Sequence, residues 1–358
     1  MSDFLDVAPL SYPFPPFDVL DVTLRDGGFR TGFRWSLDEA VSIVGAALAS
    51  GCTLSELGYV GGAPEHNRAI TGPTADISPE FACRVADGIR RHLRIDVSGR
   101  LAVMVQPMCV STPIPFAGLY EAGIGLVRFV YHANWLDKLA ALHEQARAAR
   151  LRTSVNVAIA SRYSSEALTH AVEEAVALQP DMLYLADTCG AWLPSDVAAA
   201  FTAIRSRYHE RLQLGFHAHD HLTLALANSL TALDAGVSHI DATILGIGKS
   251  AGNLRLELLL ALLETRTAPS LASPRSTDVR TSALLAGLKT VARWSEGPNA
   301  PTLLQLVSGA GNFTPPMETA LADSRIDPLR VLPRMRCAGR ALPALLEGAE
   351  QRRKEAAC

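Results

Sequence analysis

The chain has 358 residues, 48% hydrophobic and 19% charged, enough for one large domain with an appendage. Its 33 Lys plus Arg against 36 Asp plus Glu leave a formal net charge of −3, which argues against a nucleic-acid or polyanionic membrane partner and for a small-molecule ligand. Six cysteines without a CxxC pair exclude a zinc ribbon and a disulfide framework, and predict reduced thiols in a cytoplasmic protein.

In chain order, the opening MSDFLDVAPLSYPFPPFD carries acids and prolines where an export signal needs basic and then apolar residues, so 1–17 reads as an N-terminal extension. Short β-branched or apolar runs then alternate with longer helical patterns. They predict strands at 18–26, 53–60, 100–107, 126–132, 152–161, 181–187, 212–219 and 239–246. Between them, Ser36 and Glu39 form a capping box before an apolar helix at about 38–50. Leu136, Leu139, Leu142 and Ala146 share one face of a helix over 134–150, and Pro194-Ser195-Asp196 starts another.

Eight strand–helix units in roughly 250 residues predict an α/β fold, a (β/α)8 TIM barrel over 18–265. The competing open doubly wound sheet expects a Gly-rich phosphate loop after its first strand, and RDGGFRTGF is not that loop. The apolar run LRLELLLALL is broken by Arg255 and Glu257 and is too short to span a bilayer. Residues 266–358 stop alternating and read as a helical C-terminal extension ending in a polar QRRKEAAC tail. A barrel with an apolar helical appendage is expected to form a homodimer.

In such a barrel the chemistry sits at the C-terminal ends of the strands. Strand one ends in Thr23, Arg25, Asp26, Gly27 and Gly28, where Asp26 reads either as a ligand at the barrel mouth or as a turn residue bonding its own backbone. Strand seven ends in Phe216-His217-Ala218-His219-Asp220-His221. Side chains at i and i+2 point the same way on a strand, so His217 and His219 can offer two imidazoles to one ion. His221 shares the parity but lies past the strand, where a surface or capping role suits it better. One carboxylate and two imidazoles leave coordination positions open, as catalysis requires. This mixed ligand set does not select among Mg²⁺, Mn²⁺, Co²⁺ and Zn²⁺, and Mn²⁺ or Mg²⁺ is taken as the leading expectation. In the strand-eight loop GIGKSAGN, Asn253 is either a further ligand or the N-cap of a helix starting at Leu254, and Lys249 either a solvated cation or a partner for a substrate carboxylate.

The segments DVTLRDGG (21–28), SELGYVGG (55–62), LADTCGAWLP (185–194), GFHAHDHLTLALANSLTALDAG (215–236) and IDATILGIGKSAGNLRLELLL (240–260) together resemble the DRE-TIM metallolyases. The DGG form and the HAHDHLTLALANS stretch look closer to the aldolase branch, exemplified by 4-hydroxy-2-oxovalerate aldolase, than to the synthases. The resemblance implies metal ligation by Asp26, His217 and His219, with Asn253 a fourth ligand. It implies catalytic roles for Arg25, which would stabilise an enolate, for Thr188, which would orient the substrate carboxylate, and for Glu56, which supports Arg25 or is a structural ion-pair partner. Arg128, Asn156 and Lys249 join Arg25 and Thr188 as expected substrate-binding residues. The expected reaction makes or breaks a carbon–carbon bond through the enolate of a 2-oxo acid such as pyruvate, with an aldehyde as the other small molecule. The alternatives are a Claisen-type acyl-CoA-dependent synthase or lyase and an inactive ligand-binding barrel. The chain departs from the family at two places. The histidine base of the aldolases, three residues past the metal aspartate, is Phe29 here, and the strand-eight loop lacks the cysteine of the methylglutaryl lyases. His66, Tyr59, His132 and His221 are the candidate replacements for the base, as is a metal-bound water.

Overall fold

A computed structural model describes residues 17–64, 72–266, 281–294, 304–305, 308 and 313–323. Eight parallel strands pair in sequence order and close into a barrel: β1 (Asp18–Asp21), β2 (Leu54–Tyr59), β3 (Leu101–Val105), β4 (Ile124–Tyr131), β5 (Arg152–Val157), β6 (Met182–Asp187), β7 (Gln213–Ala218) and β8 (His239–Ala242). The closing pair sets Asp18 opposite His239 and Asp21 opposite Ala242. The helices are α1 (Thr23–Thr31), α2 (Leu37–Ala49), α3 (Pro79–Leu93), α4 (Phe116–Glu121), α5 (Leu136–Ala148), α6 (Ser165–Ala177), α7 (Pro194–Tyr208), α8 (Ala225–Asp234) and α9 (Leu256–Arg266). Among the described residues no helix is long and apolar enough to cross a membrane.

The local signals act as expected at several helix starts. Ser36 caps α2, its hydroxyl taking the Glu39 N–H while the Glu39 carboxylate takes the Ser36 N–H. Pro194 opens α7, and the Asp196 carboxylate accepts from the Leu193 N–H. The strands are buried on both faces, as a sheet wrapped in helices requires. Leu20, Val22, Leu54, Ala102, Leu126, Met182 and Tyr184 fill the barrel interior, and the outward-facing residues merge with the inner faces of the helices into one large core.

Two expectations need correction. The first strand does not run through 18–26: it stops at Asp21, and Arg25 and Asp26 lie in the first turn and a half of α1. The reason is packing. Gly27 abuts Ile247 and Trp35, and Gly28 abuts the Phe33 ring, so closely that a Cβ at Gly28 would fall 2.3 Å from that ring. Tertiary contacts thus hold a helix that two glycines disfavour by about 1 kcal/mol each. In addition, no helix starts at Leu254. α9 begins at Leu256, so Asn253 is not its N-cap.

Beyond 266, the described segments include α10 (Leu285–Ala292) and α11 (Pro315–Asp323). α10 packs on α2, and just past it Trp294 meets Trp35 edge to face and donates from its indole N–H to Glu39 at 2.9 Å. The extension is therefore seated on the first strand–helix unit. The C-terminal tail and His66 lie outside the described residues.

Candidate active site

A cavity of about 910 Å³ opens at the C-terminal ends of the strands. α1 brings Arg25, Asp26 and Phe29 to it, β4 Arg128, β5 Asn156, and β7 His217 and His219. The loop after β6 brings Thr188 and the loop after β8 brings Lys249. Tyr59 and His132 also line it. Glu56 and Asn253 lie just behind this lining.

Asp26, His217 and His219 each present one ligand atom, all within 4.8 Å of one another. The Asp26 Oδ2 lies 3.7 Å from the His217 Nε2 and 3.9 Å from the His219 Nε2, and the two imidazole nitrogens are 3.3 Å apart. The tautomers follow from the partners. The His217 Nδ1–H donates to Asp241 at 3.0 Å, and the His219 Nδ1–H donates to the Gly252 carbonyl at 3.1 Å. Both Nε2 atoms are thereby left as acceptors facing each other. Burial drives His219 well below the usual imidazole range, against the pull of Asp26. Burial alone would raise the Asp26 carboxyl, but Arg25 and the two histidines hold it down at about 2. Two lone pairs and a carboxylate with nothing to donate between them form a donor set that a divalent cation satisfies. Asn253 adjoins it. Its Nδ2 donates to Asp26, and its buried Oδ1 has no partner among the described residues. Gly248 has to be glycine here, because a Cβ would come within 2.1 Å of the Asn253 amide and 2.9 Å of Asp26.

Beneath the cluster runs a chain of buried ion pairs. The Arg25 Nε donates to Glu56 at 2.7 Å and its Nη1 to Asp26 at 2.9 Å. Glu56 also accepts from Arg128 at 3.2 Å, and Arg128 donates to Asp241 at 2.7 Å with its guanidinium 4.4 Å above the Tyr184 ring. Asp241 holds His217, so a continuous path joins the Arg25 guanidinium to a candidate ligand. Glu56 touches Arg25 and Arg128 and does not line the cavity. Arg128 lines the cavity but has both ends engaged by carboxylates. Asp241 was not expected from the sequence. The signal was the strand parity of His239 and Asp241 in HIDA, which points both inward.

Higher on the wall, the Thr188 hydroxyl accepts the Ile159 N–H at 2.9 Å, which leaves its own O–H to donate. The Asn156 Oδ1 accepts from Ser154 at 3.0 Å. Phe29 packs edge to face with Phe33 and Tyr59, so the wall is aromatic there. Of the proposed bases, Tyr59 and His132 reach the cavity. His221 instead bonds Ser250 at 2.8 Å and Glu318 of α11 at 3.3 Å.

Comparison with known proteins gives the lineage. The HMGL-like family model matches residues 130–291. The oxaloacetate decarboxylase of Mycobacterium tuberculosis (strain ATCC 25618 / H37Rv) is 30% identical over 248 residues, 69% of this chain and 70% of the relative. The 4-hydroxy-2-oxovalerate aldolase of Thermus thermophilus is 29% identical over 255 residues, 71% and 70% of the two chains. Among solved structures, HMG-CoA lyase from Bacillus subtilis superposes with a TM-score of 0.61 at 22% identity, covering 79% of this chain and 95% of the lyase. The carboxyl transferase domain of Rhizobium etli pyruvate carboxylase with pyruvate superposes at 0.64 and 16% identity, covering 87% and 53%. These two likenesses speak for the fold, and the sequence relatives for the lineage. The chain belongs to the HMGL-like family, the metal-dependent carbon–carbon lyases grouped as DRE-TIM metallolyases.

Proposed function

We propose that the protein is a divalent-metal-dependent lyase that breaks or forms the bond between C3 and C4 of a small 2-oxo acid, by way of the enolate of a pyruvate-like fragment. The observation that carries this reading is the Asp26–His217–His219 cluster on the floor of one cavity, beside an arginine fixed by buried carboxylates. Asp26, His217, His219 and Asn253 would hold the cation, with Mn²⁺ or Mg²⁺ the expected metal. When bound, it supplies a Lewis acid for the keto oxygen of the substrate.

The chain's own groups do the rest. Arg25 uses Nε and Nη1 on Glu56 and Asp26, and its remaining N–H groups offer directed positive charge where negative charge develops. The Thr188 O–H would donate to the substrate carboxylate. In cleavage, the C3–C4 electron pair passes into the enolate; the other fragment leaves as carbon dioxide where C4 is a carboxylate, or as an aldehyde where a base, for which His132 on the cavity wall is the candidate, takes the C4 hydroxyl proton. A proton then goes to C3. Tyr59 is suited to give that proton: burial pushes its phenol far above the usual range, against the pull of Arg25, so it stays protonated. Phe29, Phe33 and Tyr59 exclude water from this side. Residues 18–265 would carry the chemistry, and the extension adds Thr314, Pro315 and Pro316 to the cavity lining.

The test is to strip the protein of metal, titrate it with Mn²⁺ by electron paramagnetic resonance, and follow deuterium entry into C3 of pyruvate in D₂O. One Mn²⁺ per chain and metal-dependent exchange are expected. Exchange that requires CoA would replace this reading with the acyl-CoA one. Neither binding nor exchange would leave an inactive barrel.

A further inference from the structure

One cation on the cavity wall stands outside the ion-pair chain. Lys249 lines the cavity with its Nζ 4.8 Å over the face of Phe29. Among the described residues its ammonium has no hydrogen-bond acceptor and no ion-pair partner, and it lies over the ring. An aromatic face offers a cation about 0.5–2 kcal/mol, less than a carboxylate in a shielded place.

The backbone that presents this lysine is firmly built. Arg30 donates to the Gly248 carbonyl at 3.1 Å and to the Ser250 carbonyl at 2.9 Å, one on each side of Lys249. The Lys249 carbonyl accepts the Gly252 N–H at 3.0 Å. Ser250 sits at φ 54°, a strained value for a residue with a Cβ, and its hydroxyl is bound to Glu318. A loop clamped at this many points does not leave its lysine where it falls. The acidic groups nearby are committed elsewhere. Glu318 is held by Ser250 and His221, Asp26 by Arg25 and Asn253, and Asp76 sits exposed at the mouth on the Gly61 N–H.

Charge decides what the vacancy accepts. Arg25 and Arg128 face three carboxylates, Glu56, Asp26 and Asp241, which leaves one negative charge on the floor. Lys249 cancels it. A divalent cation then adds two positive charges to a cavity walled by aromatic rings. A monocarboxylic 2-oxo acid neutralises one of them, and a dicarboxylic acid neutralises both.

We propose that Lys249 is a specificity residue that pairs with a second, distal substrate carboxylate, so that the substrate class is the 2-oxo dicarboxylic acids. This rests on the lyase reading above. Burial depresses the Lys249 ammonium to about 8, against the pull of Asp26 and Glu318, as fits a cation waiting for an anion.

The experiment compares the Mn²⁺-loaded wild type with K249M and K249R. The substrates are oxaloacetate and 4-hydroxy-2-oxoglutarate, which carry the distal carboxylate, and 4-hydroxy-2-oxovalerate, which does not. Binding is read separately by calorimetry with oxamate and N-oxalylglycine, which share a head group and differ in the distal carboxylate. The wild type is expected to prefer a dicarboxylate in kcat/KM and N-oxalylglycine over oxamate in Kd. K249M should lose about 10- to 100-fold of that preference, the range of a charge-assisted hydrogen bond, mainly through KM, and K249R should recover part of it. Equal losses on mono- and dicarboxylic substrates would overturn the proposal and mark Lys249 as a proton-transfer group. An unchanged preference would overturn it outright. Failure of the wild type to bind oxamate or to exchange pyruvate protons is a different result, because neither probe has a second carboxylate. It would sink the lyase reading itself.

Discussion

The floor of the cavity and its wall are built on different rules. On the floor, every charged group is locked to another: Arg25 to Glu56 and Asp26, Arg128 to Glu56 and Asp241, His217 to Asp241. On the wall, Thr188 has an O–H to give, Lys249 faces a ring, and Phe29 packs edge to face with its aromatic neighbours. A locked network cannot adapt to a new substrate without leaving a buried charge unpaired, which costs about 3–5 kcal/mol. A wall residue can change without that penalty. On the proposed reading, the floor would carry what any 2-oxo acid needs, and the wall would decide which one is taken.

The sharpest way to break this division is to empty the floor of its ligands. Asp26→Asn and His217→Ala should abolish one-to-one Mn²⁺ binding and lower turnover by roughly 10³-fold or more, since a bound metal contributes several kcal/mol to such a reaction. Resonance titration and pyruvate exchange check both. Arg25→Ala comes next. Losing a directed positive group should cost about 10²–10³-fold in kcat while Mn²⁺ still binds. An Arg25→Ala enzyme with ordinary turnover would move Arg25 from the chemistry to the scaffold.

The two layers also differed in how readable they were. The strand spacing gave the barrel, because eight runs buried on both faces leave few other folds, and the i, i+2 histidines of β7 needed only strand parity to be paired. Arg25 and Asp26 were recognised but set on the wrong element. Val22-Thr23-Leu24 prolongs a β-branched pattern, and Gly27-Gly28 argues against a helix, yet Phe33, Trp35 and Ile247 leave room only for glycines there. That room is made by residues distant in sequence, so no local pattern reports it. The Arg128–Asp241 link joins β4 to β8 across 113 positions, with the same difficulty.

Asp241→Asn tests whether the locked chain acts at a distance. The variant removes the charge that Arg128 and His217 share. Mn²⁺ affinity should fall about 10- to 100-fold, the usual effect of losing the partner that orients a ligand histidine. The melting temperature should fall as well, since Arg128 keeps only Glu56. A drop in stability with Mn²⁺ affinity intact would make Asp241 structural alone.

On the wall the effects shrink and become conditional. Burial lowers the Lys249 ammonium to about 8, with Asp26 and Glu318 pulling it up and Arg25 pushing it further down. The kcat/KM for a dicarboxylic substrate should therefore decline as pH rises through about 8, by up to tenfold per unit until the lysine contribution is gone. In K249R the decline should disappear from this range, because a guanidinium keeps its proton.

Thr188→Val should give the smallest change and the most specific one. Valine keeps the shape and removes both halves of the hydroxyl: the acceptor for the Ile159 N–H and the donor aimed at the substrate. Ile159 sits at φ 50°, a left-handed conformation that a β-branched residue adopts only under constraint, so its N–H depends on that acceptor to stay in place. A neutral hydrogen bond contributes about 0.5–1.5 kcal/mol, which sets the expected rise in KM at roughly two- to twelvefold with little change in kcat. Thr188→Ser should restore KM, because it returns the hydroxyl and omits only a methyl group. If serine fails where valine failed, the methyl packing matters and the hydroxyl does not. The wall would then contribute shape rather than hydrogen bonding at this position, and the division between a chemical floor and a selective wall would have to be redrawn around Lys249 alone.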